Sequence, residues 1–205
     1  MLNTEPSERN YNNYDILMLK IAFVCLIIHN FLYYLFIFSS PFDLIGILVI
    51  ALLYFYRYYK SLQTNNMLIG IFSFFWVLIS GMWRVLLLQN EVIKIEVIQN
   101  NSIIPELFLV GSLFLFLGLL FLLRELIVIN KKNNFLRISQ GYLFYITLNF
   151  ILSVIISIGA LIPTLNDLLV ISLFIKIYIV SGIGLIIFSS IFLNLRKIKI
   201  IENKN

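Results

Sequence analysis

Long apolar runs, separated by short polar stretches, make up most of this sequence. A bilayer core of about 30 Å needs roughly 20 apolar residues in a helix that rises about 1.5 Å per residue. Six runs reach or approach this length, and their continuous apolar character contradicts the alternating pattern of a membrane β-strand. We predict an all-α bundle of six transmembrane helices over residues 16–38, 42–59, 67–88, 105–129, 141–162 and 165–195.

The polar stretches between the apolar runs predict how the chain is organised. Pro41, Pro105 and Pro163 fall at predicted helix boundaries, where a missing N–H is least costly. The one long connection, 89–104, is rich in β-branched residues, so we expect an extended or interfacial piece on the outer surface. We divide the chain into a polar N-terminal segment (1–15), a single six-helix transmembrane domain (16–195) and a basic tail (196–205).

Composition excludes most soluble classes of protein. Of the 205 residues, 61% are apolar and 12% are charged, with a mean hydropathy of +0.99. A soluble domain usually has about 25% charged residues and roughly 45–50% apolar ones, and a core of this size could not bury such an excess. An ordinary soluble enzyme and a disulfide-stapled module are therefore excluded, and an integral membrane protein is predicted. The abundance of Ile, Asn and Lys favours a prokaryotic cytoplasmic membrane.

Basic residues indicate the orientation of the bundle. Lys and Arg are enriched in cytoplasmic loops of membrane proteins. A cytoplasmic N-terminus leaves only Arg84, Lys94 and Lys176 outside or in the outer half, so we predict that both termini are cytoplasmic. Since the basic residues flank apolar runs, they do not indicate a nucleic-acid partner. The residues predicted to lie inside are Arg9, Lys20, Arg57, Lys60, Arg124, Lys131, Lys132, Arg137, Arg196, Lys197, Lys199 and Lys204.

Three ionisable residues within the predicted spans suggest a binding site. Such residues cost roughly 2.5–3.5 kcal/mol each on insertion and mark functional sites by default. His29, Lys176 and Arg84 all lie outward of the centres of their predicted spans, and Arg84 lies farthest out. We predict an outer-half pocket for an anionic or lipid ligand, in which the guanidinium fork of Arg84 binds two oxygens and Lys176 adds a point charge. The predicted ligand-binding residues are Arg84, Lys176, His29 and Trp83.

Structural roles could also explain these polar residues. Arg84 could extend to the outer interface, Lys176 could pair with Asp167 or Asp43, and His29 could bond a neighbouring helix. The fifth predicted helix has a polar stripe with a four-residue spacing, which suits either close helix packing or the lining of a polar path. The members of this stripe are Tyr145, Asn149, Ser153 and Ser157.

These patterns leave three classes of function open. The favoured hypothesis is a non-enzymatic membrane sensor or complex subunit, with membrane lipids, other membrane subunits or a second copy as partners. A small-molecule or ion transporter or channel is the alternative, with the polar stripe as its path. A membrane enzyme using Cys25 and His29, four residues apart on one helix face, is the third hypothesis. The single histidine excludes His-rich metal sites, and neither a metal nor a cofactor is predicted.

Overall fold

The computed structural model describes residues 13–36, 41–88, 103–129 and 135–196. Six helices in this part of the chain are long and apolar enough to cross a membrane, which confirms the predicted all-α bundle and makes the chain a multi-pass membrane protein. The first five crossings are single helices, whereas the sixth is built from three consecutive pieces. The elements are α1 (Asn13–Phe36), α2 (Phe42–Ser61), α3 (Thr64–Leu88), α4 (Ile103–Ile129), α5 (Phe135–Leu161), α6 (Asn166–Phe174), a π-helical segment (Ile175–Val180) and α7 (Ser181–Arg196).

Prolines stand where helices begin. Pro41 is the N-cap of α2, Pro105 lies in the first turn of α4, and Pro163 starts the short 3₁₀ turn before α6. The first N–H groups of a helix have no partner within it, so proline is tolerated there. The predicted outer segment 89–104 lies outside the described residues except for its last two, which belong to α4. Residues 1–12 and 197–205 also lie outside them.

Each helix packs chiefly against its neighbours in chain order, and α7 returns to pack against α1. This arrangement closes the bundle around a main apolar core, and Ile156 and Ala160 form a second, small cluster. Phe23 on α1 and Phe188 on α7 are fully buried, and their ring centroids are 5.9 Å apart. This contact packs the first helix against the last. Large apolar side chains such as Leu52 and Ile186 point outward, as expected of helix faces in contact with lipid.

Two glycines permit close approach between helices. A Cβ on Gly46 of α2 would lie 2.9 Å from the backbone oxygen of Ala22 on α1. A Cβ on Gly184 of α7 would lie 2.5 Å from the side-chain oxygen of Asn30 and 2.9 Å from the ring of Tyr145. Small residues of this kind let helix backbones approach in membranes, where van der Waals packing drives association.

The sixth crossing changes its helical geometry near its middle. Residues Ile175–Val180 form a π-helical segment between α6 and α7, and this segment contains Lys176. The Ser181 hydroxyl donates a hydrogen bond to the backbone oxygen of Lys176, at 3.4 Å. Short π-helical segments within α-helices often occur at functional sites. The wider helical turn of this crossing therefore coincides with Lys176, the charged residue of the segment.

Candidate functional site

Asp43 organises a group of ionisable side chains at the predicted outer end of the bundle. The residue lies in the first turn of α2 and is 7% exposed. Its Oδ2 accepts a hydrogen bond from the Arg84 guanidinium on α3, and its Oδ1 lies 3.6 Å from Nδ1 of His29 on α1. We call His29, Asp43 and Arg84 the outer cluster. This cluster joins α1, α2 and α3, and the carboxylate balances the guanidinium charge inside the protein.

The outer cluster is largely shielded from its surroundings. The side chains of His29 and Arg84 are 17% and 16% exposed. The Tyr33 ring stacks on the imidazole of His29, with centroids 5.8 Å apart and an interplanar angle of 14°. Arg84 is thus paired within the bundle rather than extended to the interface. An anion at this guanidinium would lie beside the Asp43 carboxylate, which repels it.

Lys176 lies in a separate polar environment. Its Nζ donates a hydrogen bond to Oγ of Ser153 on α5, at 2.7 Å, and lies 4.4 Å from the ring centroid of Phe108 on α4. A cation over an aromatic face is attracted by the ring quadrupole. The ion pairs found within the described ranges join other residues, and neither Asp43 nor Asp167 pairs with this lysine. The ammonium is therefore held by a hydroxyl and a ring, both of which are neutral.

The polar stripe of α5 faces its neighbouring helices. Ser153 and Ser157 are buried, and their hydroxyls donate to the backbone oxygens of Asn149 and Ser153, at 2.8 and 2.9 Å. Asn149 lines a small cleft between α4 and α5 together with Ser112. Tyr145 is hydrogen-bonded to the Asn30 side chain on α1. The stripe thus links α5 to three neighbours and provides the hydroxyl that Lys176 binds.

The predicted ligand-binding residues fall into two groups. His29 and Arg84 meet at Asp43, whereas Lys176 binds Ser153 and Phe108. The side chain of Trp83 lies outside the described part of the chain. The Cys25 Cβ lies only 3.2 Å from the position that a Gly46 Cβ would occupy, so this cysteine packs at the contact between α1 and α2.

Sequence reasoning missed three functional candidates. It did not identify Asp43 as the residue that joins His29 to Arg84. It also passed over Asn30, which is buried and whose Nδ2 donates to the backbone oxygen of Leu26 at 2.7 Å. The third is Glu125, which is fully buried near the end of α4. Asn30 and Glu125 both interrupt apolar runs, and that interruption was the available signal.

No protein-family model, curated protein or solved structure matches the chain. Within the described residues, no three His, Cys, Asp or Glu side chains come together as a group that could hold a metal ion.

Proposed function

We propose that the protein is a non-enzymatic membrane component, either a sensor or a subunit of a larger complex, that binds an anionic ligand at Lys176. The environment of this lysine is the observation that supports the proposal most. An ammonium has three N–H donors. Lys176 donates one hydrogen bond, to Ser153, and its Nζ lies over the ring of Phe108. A cation at this depth is costly without a counter-charge. A phosphate or carboxylate would supply both the charge and the missing acceptors.

The proposed ligand class is a phosphate or carboxylate group, and either a lipid headgroup or a soluble anion can present it. Arg84, His29 and Trp83 remain proposed members of the site. At Arg84 and His29 a ligand would have to lie beside the Asp43 carboxylate, which repels an anion. Within the described residues no ion pair joins Lys176 to a carboxylate, so we expect this lysine to contribute most of the affinity.

Lipid retention by the purified protein tests this proposal. The detergent-solubilised protein would be incubated with phosphatidylglycerol or phosphatidylcholine, and bound lipid would be counted by native mass spectrometry. We expect Lys176→Gln to lower phosphatidylglycerol affinity about tenfold or more, because a hydrogen bond to a charged group contributes about 1.5–3 kcal/mol. Arg124→Gln, which removes an exposed cation from α4, is the control and should retain the lipid.

Soluble anions form the second arm of this experiment. If wild-type protein is stabilised by inorganic phosphate or acetate but retains no phosphatidylglycerol, the ligand is a free anion rather than a lipid. In that case Lys176→Gln should abolish the stabilisation. Equal retention and equal stabilisation in wild type and Lys176→Gln would overturn the proposed site.

Transport is a second candidate function, and the contact between the α5 stripe and Lys176 favours it. Ser153 joins this stripe to the π-helical segment, and Asn149 lines the adjacent cleft. Transport predicts flux of small ions into proteoliposomes and a reduced flux in Asn149→Leu. The binding function predicts neither. Proteoliposomes without flux above that of empty vesicles would exclude this candidate.

A further inference from the structure

One oxygen of the Asp43 carboxylate lies beside the imidazole of His29 and can accept a further hydrogen bond. The two atoms, Asp43 Oδ1 on α2 and His29 Nδ1 on α1, are 3.6 Å apart. Oδ1 is buried and accepts no hydrogen bond within the described residues. The Arg84 guanidinium donates to the other oxygen, Oδ2. Buried polar atoms in native proteins are nearly always bonded, so this oxygen calls for an explanation.

The protonation state of His29 determines whether Nδ1 can serve as the donor for this oxygen. A neutral imidazole has a proton on one of its two nitrogens, whereas an imidazolium has a donor on both. At 3.6 Å the two atoms are in contact but are not hydrogen-bonded. A hydrogen bond between a charged N–H and a carboxylate is about 2.7–2.9 Å long, so closure requires an approach of about 0.7–0.9 Å.

The packing of α1 against α2 is compatible with such an approach. The two helices touch at Gly46, where an added Cβ would lie 2.9 Å from the backbone oxygen of Ala22 and 3.2 Å from Cys25 Cβ. Gly46 follows Asp43 by three residues, and Cys25 precedes His29 by four, so this contact lies about one helical turn further into the bundle. A small tilt of α1 about the contact at Gly46 therefore brings the imidazole to the carboxylate.

The other ionisable groups near His29 within the described residues do not replace Asp43 as its partner. Arg84 on α3 carries a positive charge that opposes a protonated ring, but it bonds Oδ2 and the carboxylate stands between the two cations. On α2, the next ionisable residue after Asp43 is Tyr54, about three turns away, and α7 has none over residues 181–195. The remaining groups are Tyr33, which stacks on the imidazole, Lys176, which donates to Ser153, and Tyr178, whose ring contacts Tyr34.

We propose that His29 and Asp43 form a pH-dependent contact between α1 and α2, which closes when the imidazole is protonated. In the predicted orientation this contact lies toward the outside, so it responds to external pH. Only its meaning as the stimulus of a sensor rests on the function proposed above. The contact itself does not involve Lys176, so loss of lipid binding and loss of the pH response are separate results.

Thermal unfolding of the full-length protein in detergent, between pH 5.5 and pH 8.0, tests this inference. Histidine is the side chain whose unperturbed pKa lies in this interval. The hydrogen bond to Asp43 exists only while the ring is protonated, so its stabilisation is present at acid pH and is lost as the pH rises. We expect the unfolding temperature of the wild type to fall by about 4 °C over this interval.

Three variants connect the pH response to the named residues. His29→Gln, which keeps an N–H donor but does not titrate, should remove the fall in unfolding temperature. Asp43→Asn should remove it as well, because the imidazolium then has no carboxylate partner. Asp167→Asn, which removes an exposed carboxylate, is the control and should respond as the wild type does. If Asp43→Asn does not fold, the comparison of His29→Gln with the wild type still decides the proposal.

Nuclear magnetic resonance of the imidazole gives the direct measurement. The chain contains one histidine, so ¹⁵N-labelled histidine reports on His29 alone when the protein is purified without a histidine tag. We expect both ring nitrogens to be protonated at pH 5.5 and one at pH 8.0. A ring that stays neutral at pH 5.5 would overturn the inference. A wild-type unfolding temperature that does not fall with pH, or an equal fall in His29→Gln, would do the same.

Discussion

At the scale of single residues, Asp43 is held between Arg84 on one carboxylate oxygen and His29 near the other. We expect Asp43→Asn to lower the free energy of unfolding by about 3 kcal/mol, because removing one partner of a buried pair leaves the other charge uncompensated. Unfolding in detergent by denaturant or heat measures this loss. Asp167→Asn, which removes an exposed carboxylate at the start of α6, is the control and should change little.

A double-mutant cycle separates the ion pair from other effects of Asp43. Arg84→Gln removes the guanidinium, so the double variant has no buried charge of either sign in this pair. Its loss should be smaller than the sum of the two single losses by about 1 kcal/mol or more. Additive losses would show that Arg84 and Asp43 do not stabilise each other.

Ser153 and Ser157 form a matched pair of buried hydroxyls on α5. Each donates to the backbone oxygen four residues earlier, but only Ser153 also accepts a hydrogen bond from Lys176. We expect Ser153→Ala to cost about 1–2 kcal/mol more than Ser157→Ala, because it removes the acceptor of a charged group. The same unfolding measurement compares the two. Equal losses would mean that the contact between Ser153 and Lys176 adds no stability.

At the scale of elements, the contact between α1 and α2 depends on Gly46. An added Cβ would meet the backbone oxygen of Ala22 at 2.9 Å, and no side-chain rotation can relieve that contact. Gly46→Ala should therefore cost about 1–3 kcal/mol through overpacking, seen as a lower thermal midpoint. Among the described residues outside its own helical turn, Gly81 on α3 has no atom within 4 Å of its added Cβ. Gly81→Ala should be neutral or stabilising by up to about 1 kcal/mol.

Hydropathy located every crossing but placed several helix starts late. The predicted spans began at 16, 67 and 141, whereas α1, α3 and α5 begin at Asn13, Thr64 and Phe135. An apolar run marks the part of a helix that suits lipid. The helix itself continues into polar flanks because its backbone hydrogen bonds remain favourable there. The extra turns matter, because Asp15 and Asn65 lie in them, where Asp15 accepts a hydrogen bond from Arg57 and Asn65 donates one to Glu125.

The sequence could not predict which polar residues contact one another, and the reason is physical. Apart from the polar stripe of α5, these helices are apolar on nearly all sides, so no amphipathic pattern shows which face points inward. His29, Arg84 and Lys176 were therefore found as unusual residues in apolar runs, while their partners were not. Nothing in the sequence distinguished the π-helical segment from an ordinary helix either. These contacts depend on how each helix is rotated about its own axis and on which helices are neighbours. Only the three-dimensional structure shows both.

At the scale of the whole molecule, the orientation in the membrane is a prediction from the distribution of Lys and Arg. Lys60 near the end of α2 and Glu106 in the first turn of α4 have exposed side chains near opposite ends of the bundle. In a Cys25→Ser background, a membrane-impermeant maleimide added to intact cells should label Glu106→Cys. Lys60→Cys should react with the maleimide only after the cells are permeabilised.

This labelling also decides which compartment the outer cluster faces. Six crossings place the start of α1 and the end of α7 on one side of the membrane in either orientation, so the fold would survive a reversed result. The compartments would change, because the outer cluster and Lys176 would then lie toward the cytoplasm and the contact between Arg57 and Asp15 would lie toward the exterior. Labelling of Lys60→Cys in intact cells, with Glu106→Cys protected, would therefore contradict the predicted orientation. The proposed anion site would keep its residues, but it would bind its ligand from the opposite aqueous phase.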